Sequence, residues 1–232
     1  MSFAQFLHTQ HAALIAQYFA QYFAPVNVAY IALPTLQSFQ QFPGQNGGGL
    51  DYSLGFPPQD AVIWRDSQNR PELWVRPEEK ASSSATGFYA KAWQQFVSIA
   101  GKTTYTPTLN GTPLAIDHLF PETAAARLGL GYVRVTAVNR RSNSLVGSTT
   151  ETAAARGKTG TRRPRTATAQ TIAKISGYQG SFASANNAAA VAHSLFAYLQ
   201  AQGYPVPTGN QALVDLEQDL IASKLDWFRG DL

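Results

Sequence analysis

Cysteine is absent from this chain of 232 residues. That absence excludes disulfides, thiolate zinc sites, iron–sulfur clusters and a thiol nucleophile. Charged residues are scarce at 14%, whereas hydrophobic residues make up 44% of the chain, a balance typical of folded proteins. No uninterrupted apolar run approaches the roughly 18 residues of a transmembrane helix, so no membrane span is predicted. The length is sufficient for one large domain or two small ones with a buried core.

A secretion signal is also not evident. The first 25 residues contain no basic n-region and carry polar residues throughout, so the sequence predicts no signal peptide and favours a cytoplasmic protein. Two GKT triplets lack the glycine that a phosphate-binding loop requires five residues upstream. His8 and His11 have the spacing of one helix face, but no third ligand accompanies them. Both are interpreted as solvated or core histidines rather than metal ligands.

The positive charge is concentrated in one stretch, residues 127–174, called here the basic segment. It holds ten basic residues and one acidic residue, a net charge of +9, whereas residues 1–126 carry −2 and residues 175–232 carry −3. A cationic block of this kind favours a polyanionic partner, nucleic acid above all. The alternative is a solvated, flexible basic loop.

Hydrophobic periodicity and turn residues predict both helices and strands. Helices are expected over residues 2–23, 86–100, 143–156, 183–202 and 209–228. Strands are expected over residues 27–33, 61–66, 71–77, 104–109, 112–120 and 132–138, and Asn110–Gly111 is typical of a hairpin turn. Residues 43–58 and 157–166 are expected to be a loop and a basic linker. The aromatic residues Trp64, Trp74, Tyr89 and Trp93 are expected in the core rather than stacked on bases.

The most informative stretch covers residues 115–148. Asp117 and His118 end a strand-like run and are followed by two apolar residues and Pro121. A second strand, a short polar turn and Asn143 at the start of a predicted helix come next. This pattern resembles the HNH nucleases, also known as the ββα-metal or His-Me finger superfamily, over about a sixth of the chain.

The resemblance implies an α+β fold in which a ββα-metal core lies between an N-terminal α/β region and C-terminal helices. The corresponding domains are an N-terminal region over residues 1–110, whose role is scaffolding or target recognition, and the nuclease core over 111–158. The basic linker and C-terminal helices occupy residues 159–232. Many HNH proteins hold the turn after the second strand with zinc bound to Cys-x-x-Cys. Here Asn139 and Ser142 stand at those places, so no structural zinc is expected and packing must hold the hairpin.

The resemblance also implies a catalytic site. A neutral imidazole is a suitable base near pH 7, and His118 would take a proton from water. Asp117 and the side-chain oxygen of Asn143 would bind Mg²⁺ or Mn²⁺, which prefer oxygen ligands. Simpler interpretations remain open: His118 as a core histidine bonded to a carbonyl, Asp117 as a turn residue or helix cap, and Asn143 as a helix N-cap. Asn139 is interpreted as a turn former or as a hydrogen-bonding substitute for the missing zinc ligand.

Basic side chains would contact the phosphates of the substrate. The predicted nucleic-acid-binding residues are Arg134, Arg140, Arg141, Arg156, Lys158, Arg162, Arg163 and Arg165. The resemblance favours DNA as the substrate, with RNA as the alternative. It leaves open whether the protein forms a homodimer and whether it binds an immunity or defence partner protein.

Three functions are consistent with these features. The first is a metal-dependent DNA endonuclease of bacterial restriction or defence. The second is the same chemistry in a secreted bacterial DNase toxin. The third is a non-catalytic nucleic-acid-binding protein in which the HNH-like site is only structural. Metal-dependent turnover would separate the third from the first two.

Overall fold

The computed structural model describes residues 1–23, 28–77, 87–146, 162–180 and 187–229. In these ranges the chain is an α+β fold whose strands form one antiparallel sheet of eight. The helices are α1 (Phe3–Ala20), α2 (Ser38–Gln41), α3 (Phe88–Gly101), α4 (Glu122–Arg127), α5 (Arg140–Val146), α6 (Ala169–Ser176), α7 (Ala188–Ala201) and α8 (Asn210–Arg229). The strands are β1 (Tyr30–Leu33), β2 (Gly49–Asp51), β3 (Ala61–Arg65), β4 (Pro71–Val75), β5 (Thr108–Leu109), β6 (Thr112–His118), β7 (Tyr132–Asn139) and β8 (Arg165–Thr166). A 3-10 turn covers Pro43–Asn46.

Strand β7 lies at the centre of the sheet. Its residue Val135 pairs with Leu73 of β4 on one edge and with His118 of β6 on the other. Beyond β6, the same edge of β7 pairs with β1. Seven of the eight residues of β7 are buried, as expected for a strand with neighbours on both sides. The sheet therefore joins strands from the first 110 residues to the β6–β7 pair.

Helix α1 begins where the sequence predicts it. The side chain of Ser2 accepts a hydrogen bond from the backbone N–H of Gln5, and the Gln5 side chain accepts one from the N–H of Ser2. This capping box satisfies two backbone donors that the first turn of a helix leaves free. The helix then buries large apolar side chains, including Phe6 and Tyr18, against the rest of the core.

The aromatic residues pack in the core, as predicted. Trp74 and Trp93 are fully buried, and Trp64 and Tyr89 are nearly so. Phe39 makes edge-on contact with the ring of Trp74 at 5.1 Å between ring centroids, within the range favoured by aromatic pairs. These rings are therefore packed inside the fold and do not form an exposed stacking surface.

Most predicted elements are confirmed, with several differences. Strand β2 lies within residues 43–58, which were predicted to be a loop, and the short helices α2 and α4 were not predicted. The helix predicted to begin near Asn143 begins at Arg140, directly after β7. The basic linker ends in strand β8, which pairs with β1. A helix that the pattern did not indicate, α6, follows that strand. It has only eight residues, all of them buried, and is shorter than the roughly 10–12 residues over which periodicity distinguishes a helix from a strand.

His11 is a core histidine, as the sequence analysis expected. Its Nε2 donates a hydrogen bond to the carbonyl oxygen of Ala137 at 3.0 Å and lies 3.2 Å from the hydroxyl of Thr136. Burial lowers the pKa of His11 from 6.5 to about 3, although the hydrogen bond to Ala137 opposes the shift. The imidazole is therefore neutral in the folded protein and joins α1 to β7.

We expect this histidine to make the fold sensitive to mild acid. In the unfolded chain it binds a proton as the pH falls through 6.5, whereas folded His11 does so only near pH 3. The unfolded state thus binds more protons between these values, and stability falls as the pH falls. Between pH 7 and pH 5 the loss should be about 2 kcal/mol, at roughly 1.4 kcal/mol per unit below 6.5.

The measurement is the free energy of unfolding in urea at pH 7 and pH 5. His11→Gln, whose side-chain amide can still donate to the Ala137 carbonyl, should lose much less stability over that interval than the wild-type protein. The interval lies above the range in which ordinary carboxyl groups titrate. An equal loss in both proteins would show that another group is responsible.

Candidate functional site

Strands β6 and β7 and helix α5 form one continuous unit. The hairpin turn that opens β6 has Asn110 and Gly111 at φ values of 50° and 77°, the left-handed conformation that this residue pair favours. Strands β6 and β7 then pair from Leu114 opposite Asn139 to His118 opposite Val135. Helix α5 follows β7 without a loop and packs against both strands.

Asp117 and His118 lie together at the end of β6. Neighbouring residues of a strand project to opposite faces, and the pairing with β7 continues regularly through the bond from the N–H of Leu119 to the carbonyl oxygen of Arg134. The Asp117 side chain nevertheless turns along the strand. Its Oδ1 accepts from the backbone N–H of His118 at 2.9 Å and lies 3.1 Å from His118 Nδ1. Side-chain rotation therefore brings the two groups together without a bend in the strand.

Lys174 completes this cluster, and the sequence analysis did not single it out. Its Nζ lies 2.6 Å from Asp117 Oδ2 and donates to the carbonyl oxygen of His118 at 2.9 Å. The side chain of Lys174 is only 1% exposed. Burial alone would raise the pKa of Asp117, but the charge of Lys174, together with hydrogen bonds from Lys174 and the His118 backbone, outweighs burial and lowers that pKa. The carboxyl group is therefore held ionised inside the fold.

No local sequence feature distinguishes Lys174 from the other nine basic residues of the basic segment. A buried lysine next to a carboxylate is defined by a contact between residues 57 positions apart, in β6 and α6. The one sequence feature that marks its helix is Thr168, whose side chain accepts from the N–H of Thr171 and caps α6.

The turn between β7 and α5 is held by hydrogen bonds. Asn139 Oδ1 accepts from the backbone N–H groups of Arg141 and Ser142 at 2.9 and 3.2 Å. Asn139 is therefore the N-cap of α5, and the interpretation of Asn143 as the cap is wrong. The hydroxyl of Ser142 lies 3.2 Å from the carbonyl oxygens of Ala173 and Lys174. The Ser142 bonds link α5 to α6, whereas the Asn139 bonds hold the turn itself.

Asn143 lies in α5, and its side-chain oxygen is unusual in its surroundings. Its Oδ1 is buried and has no hydrogen-bond partner among the residues that the structure describes. Buried polar atoms are nearly always paired, since an unpaired one costs about 1–3 kcal/mol. An unpaired oxygen on the helix that packs against β6 is consistent with a ligand position for water or a cation.

The donor chemistry around this unit fits a hard divalent cation in part. Asp117 supplies an ionised carboxylate and Asn143 an unpaired amide oxygen, the ligand types that Mg²⁺ and Mn²⁺ prefer. Within the described residues, however, no group of three or more histidine or acidic side chains is arranged to hold a metal ion. A cation bound here would therefore take most of its ligands from water and substrate.

The predicted phosphate-binding residues fall into separate groups. Arg140, Arg141, Arg162 and Arg163 are exposed. Arg165 is half-buried, with its guanidinium 5.9 Å from the ring centroid of Phe120, two residues after His118. Arg156 and Lys158 lie outside the described residues. Strand β8, which belongs to the basic segment, therefore brings Arg165 close to the end of β6.

Arg134 differs from these residues because it points into the core. It is 5% exposed, and its Nη1 lies 3.1 Å from Glu72 Oε1 and donates to Gln17 at 3.2 Å. Burial lowers the pKa of Arg134, and the Glu72 carboxylate opposes that shift. Since Glu72 compensates its charge inside the fold, we leave Arg134 out of the candidate phosphate-binding surface.

Comparison with protein-family models, curated proteins and solved structures found no match to this chain. The candidate site therefore rests on the residues and geometry described above. Of the helices that the structure describes, none has the length and apolar composition that a membrane span requires.

Removal of the α5 cap should weaken the β6–β7–α5 unit. We expect Asn139→Ala to lower the free energy of unfolding by about 1 kcal/mol, the typical cost of losing an N-cap side chain. Asn139→Asp keeps an oxygen that accepts from the same N–H groups and should remain close to the wild type. Urea unfolding of the three proteins measures the difference, and an equal loss in both variants would contradict the capping role.

Proposed function

We propose that this protein is a metal-dependent endonuclease of the HNH type that hydrolyses phosphodiester bonds in DNA. The observation that carries the proposal is the β6–β7–α5 unit. It carries the Asp117–His118 contact at the end of one strand and an unpaired, buried Asn143 oxygen on the helix that follows the next strand. A strand pair followed by a helix, with these residue types in this order, is the arrangement that the sequence resemblance implies.

The contacts of His118 support its role as the general base. Asp117 is ionised and can only accept hydrogen bonds, so the imidazole proton lies on Nδ1, which faces Asp117 Oδ1 at 3.1 Å. The other ring nitrogen, Nε2, then keeps its lone pair and can take a proton from water. The His118 side chain is 15% exposed, so part of its surface is accessible to water.

The remaining residues would bind and orient the substrate. Asp117 and Asn143 would hold Mg²⁺ or Mn²⁺ through oxygen atoms. When bound, such a cation supplies Lewis-acid stabilisation of the charge at the leaving 3′ oxygen. The exposed arginines Arg140, Arg141, Arg162 and Arg163 would bind phosphates on either side of the cleaved bond. The products would carry 5′-phosphate and 3′-hydroxyl ends, as in the resembled family.

Non-catalytic nucleic-acid binding is the second candidate, and one contact favours it. Lys174 already compensates the Asp117 carboxylate at 2.6 Å, so the acidic group does not require a metal ion for its charge to be balanced. In that case the basic segment would bind nucleic acid and the Asp117–His118–Lys174 cluster would only stabilise the end of β6.

Cleavage of supercoiled plasmid by the purified protein separates the two candidates. We expect nicking or linearisation with Mg²⁺ or Mn²⁺ and none with EDTA. His118→Ala should lose at least about a hundredfold in rate, the lower range for removal of a general base, while DNA binding is retained. His193→Ala, an exposed histidine on α7, is the matched control and should cleave like the wild type.

Other outcomes have definite meanings. Full activity of His118→Ala would reject the catalytic assignment. DNA binding without metal-dependent cleavage of DNA or RNA would favour the non-catalytic candidate. Discrete fragments would support a restriction or defence role in bacteria, whereas indiscriminate degradation would favour a secreted toxin. A homodimer, an immunity partner and a cytoplasmic location remain predictions.

Three arginines of the basic segment at and just before β8 give a separate prediction. Replacement of Arg162, Arg163 and Arg165 by Gln should weaken DNA binding and reduce the slope of log K against log salt by up to about 3, at roughly 0.9 per lost phosphate contact. Fluorescence anisotropy of a labelled duplex at several salt concentrations measures the slope. Arg76→Gln, an exposed arginine outside the segment, is the control. An unchanged slope in the triple variant would place this surface away from the DNA.

A further inference from the structure

Lys174 contacts both residues of the Asp117–His118 pair at once. Its ammonium lies 2.6 Å from the side-chain oxygen Oδ2 of Asp117 and donates to the main-chain oxygen of His118 at 2.9 Å. Because the side chain is almost entirely buried, this positive charge is a fixed part of the site. The proposed chemistry above assigns it no role.

The helix that carries Lys174 is held in place near both ends. At its start, the backbone N–H of Ala169 donates to Asp219 of α8 at 2.5 Å. Near its end, the carbonyl oxygens of Ala173 and Lys174 both lie 3.2 Å from the hydroxyl of Ser142. Helix α6 also packs against β7 and α5. Movement of the ammonium away from Asp117 would therefore require either a moved helix or a buried, unpaired charge, and both are costly.

The Asp117 carboxylate has no oxygen without a contact. Oδ1 accepts from His118, and Oδ2 faces Lys174. A divalent cation that binds the same carboxylate would lie within a few ångströms of the Lys174 ammonium and would be repelled by it in a partly buried environment. The Lys174 ammonium and a bound metal ion would therefore both depend on the negative charge of the Asp117 carboxylate.

We propose that Lys174 acts as an internal cation that competes with a divalent metal ion for the Asp117 carboxylate and so lowers the metal affinity of this site. The inference rests on the proposed function for the identity of the competitor, and it describes the regulation of that same site. It implies that the site binds metal weakly until the substrate phosphate adds negative charge and ligand oxygens.

Mn²⁺ binding to the full chain at pH 8 tests this directly, with free Mn²⁺ measured by electron paramagnetic resonance. Lys174→Met removes the ammonium and leaves the carboxylate without its cation. We expect it to bind Mn²⁺ at least about tenfold more tightly than the wild type, a difference of roughly 1.4 kcal/mol. Lys91→Met, an exposed lysine on α3, should leave binding unchanged.

Two further variants decide whether the effect passes through this contact. In Asp117→Asn combined with Lys174→Met the tighter binding should disappear, because the carboxylate for which the two cations compete is gone. Lys174→Arg keeps a positive charge and should not gain affinity. Unchanged Mn²⁺ affinity in folded Lys174→Met, or tighter binding that persists in the double variant, would overturn the proposal.

The proposal remains testable if Lys174→Met does not fold by itself. Folding that Mn²⁺ restores, followed by circular dichroism, would support it, since the metal ion would then take the place of the ammonium. If Mn²⁺ does not restore folding, Lys174→Gln becomes the deciding variant because its amide still donates to Asp117 without a charge. The same tenfold criterion applies to it, and unchanged affinity there overturns the proposal.

These measurements are independent of the nuclease assay. An absence of His118-dependent cleavage by the wild type would reject the proposed function, whereas the Mn²⁺ affinities would still show whether Lys174 and a metal ion compete. Conversely, cleavage that requires His118 together with unchanged Mn²⁺ affinities would support the nuclease and reject the role of Lys174.

Discussion

The pairing of β7 on both of its edges is the constraint on which the other features depend. One edge contacts β4, and the other contacts β6 and then β1. Because every backbone group of a buried strand requires a partner, this arrangement fixes the register of β6. That register in turn places Asp117 and His118 opposite Thr136 and Val135. It also determines where α5 starts, since the helix follows β7 without a loop.

Buried polar groups are compensated in three places on or beside this strand. His11 remains neutral and donates to a carbonyl of β7, Arg134 pairs with Glu72, and Asp117 pairs with Lys174. Removing one partner of such a pair leaves an uncompensated buried charge and costs more than the intact pair contributes to stability. Of the three, the Asp117–Lys174 pair lies next to a partly accessible histidine, and the proposed function therefore concerns this pair and not Arg134–Glu72.

Local signals were sufficient for most of the secondary structure. Ser2 predicted the start of α1, and Asn110–Gly111 predicted the turn before β6. Periodicity predicted β7 and α3 with errors of a few residues at their ends. The errors in the other elements have a physical reason. Helix α6 has only eight residues, too few for periodicity alone to distinguish a helix from a strand, and β8 is a strand only because β1 supplies the partner for its backbone.

The sequence by itself determined which residues stand in the Asp-His pattern, that cysteine chemistry is excluded, and that positive charge is concentrated in residues 127–174. These are properties of composition and spacing, and they do not require knowledge of contacts. Only the tertiary structure decided that Asn139 rather than Asn143 caps α5, that Arg134 is turned into the core, and that Lys174 lies on Asp117. The last two depend on pairs of residues more than 50 positions apart, whose proximity arises only when strands and helices pack around β7.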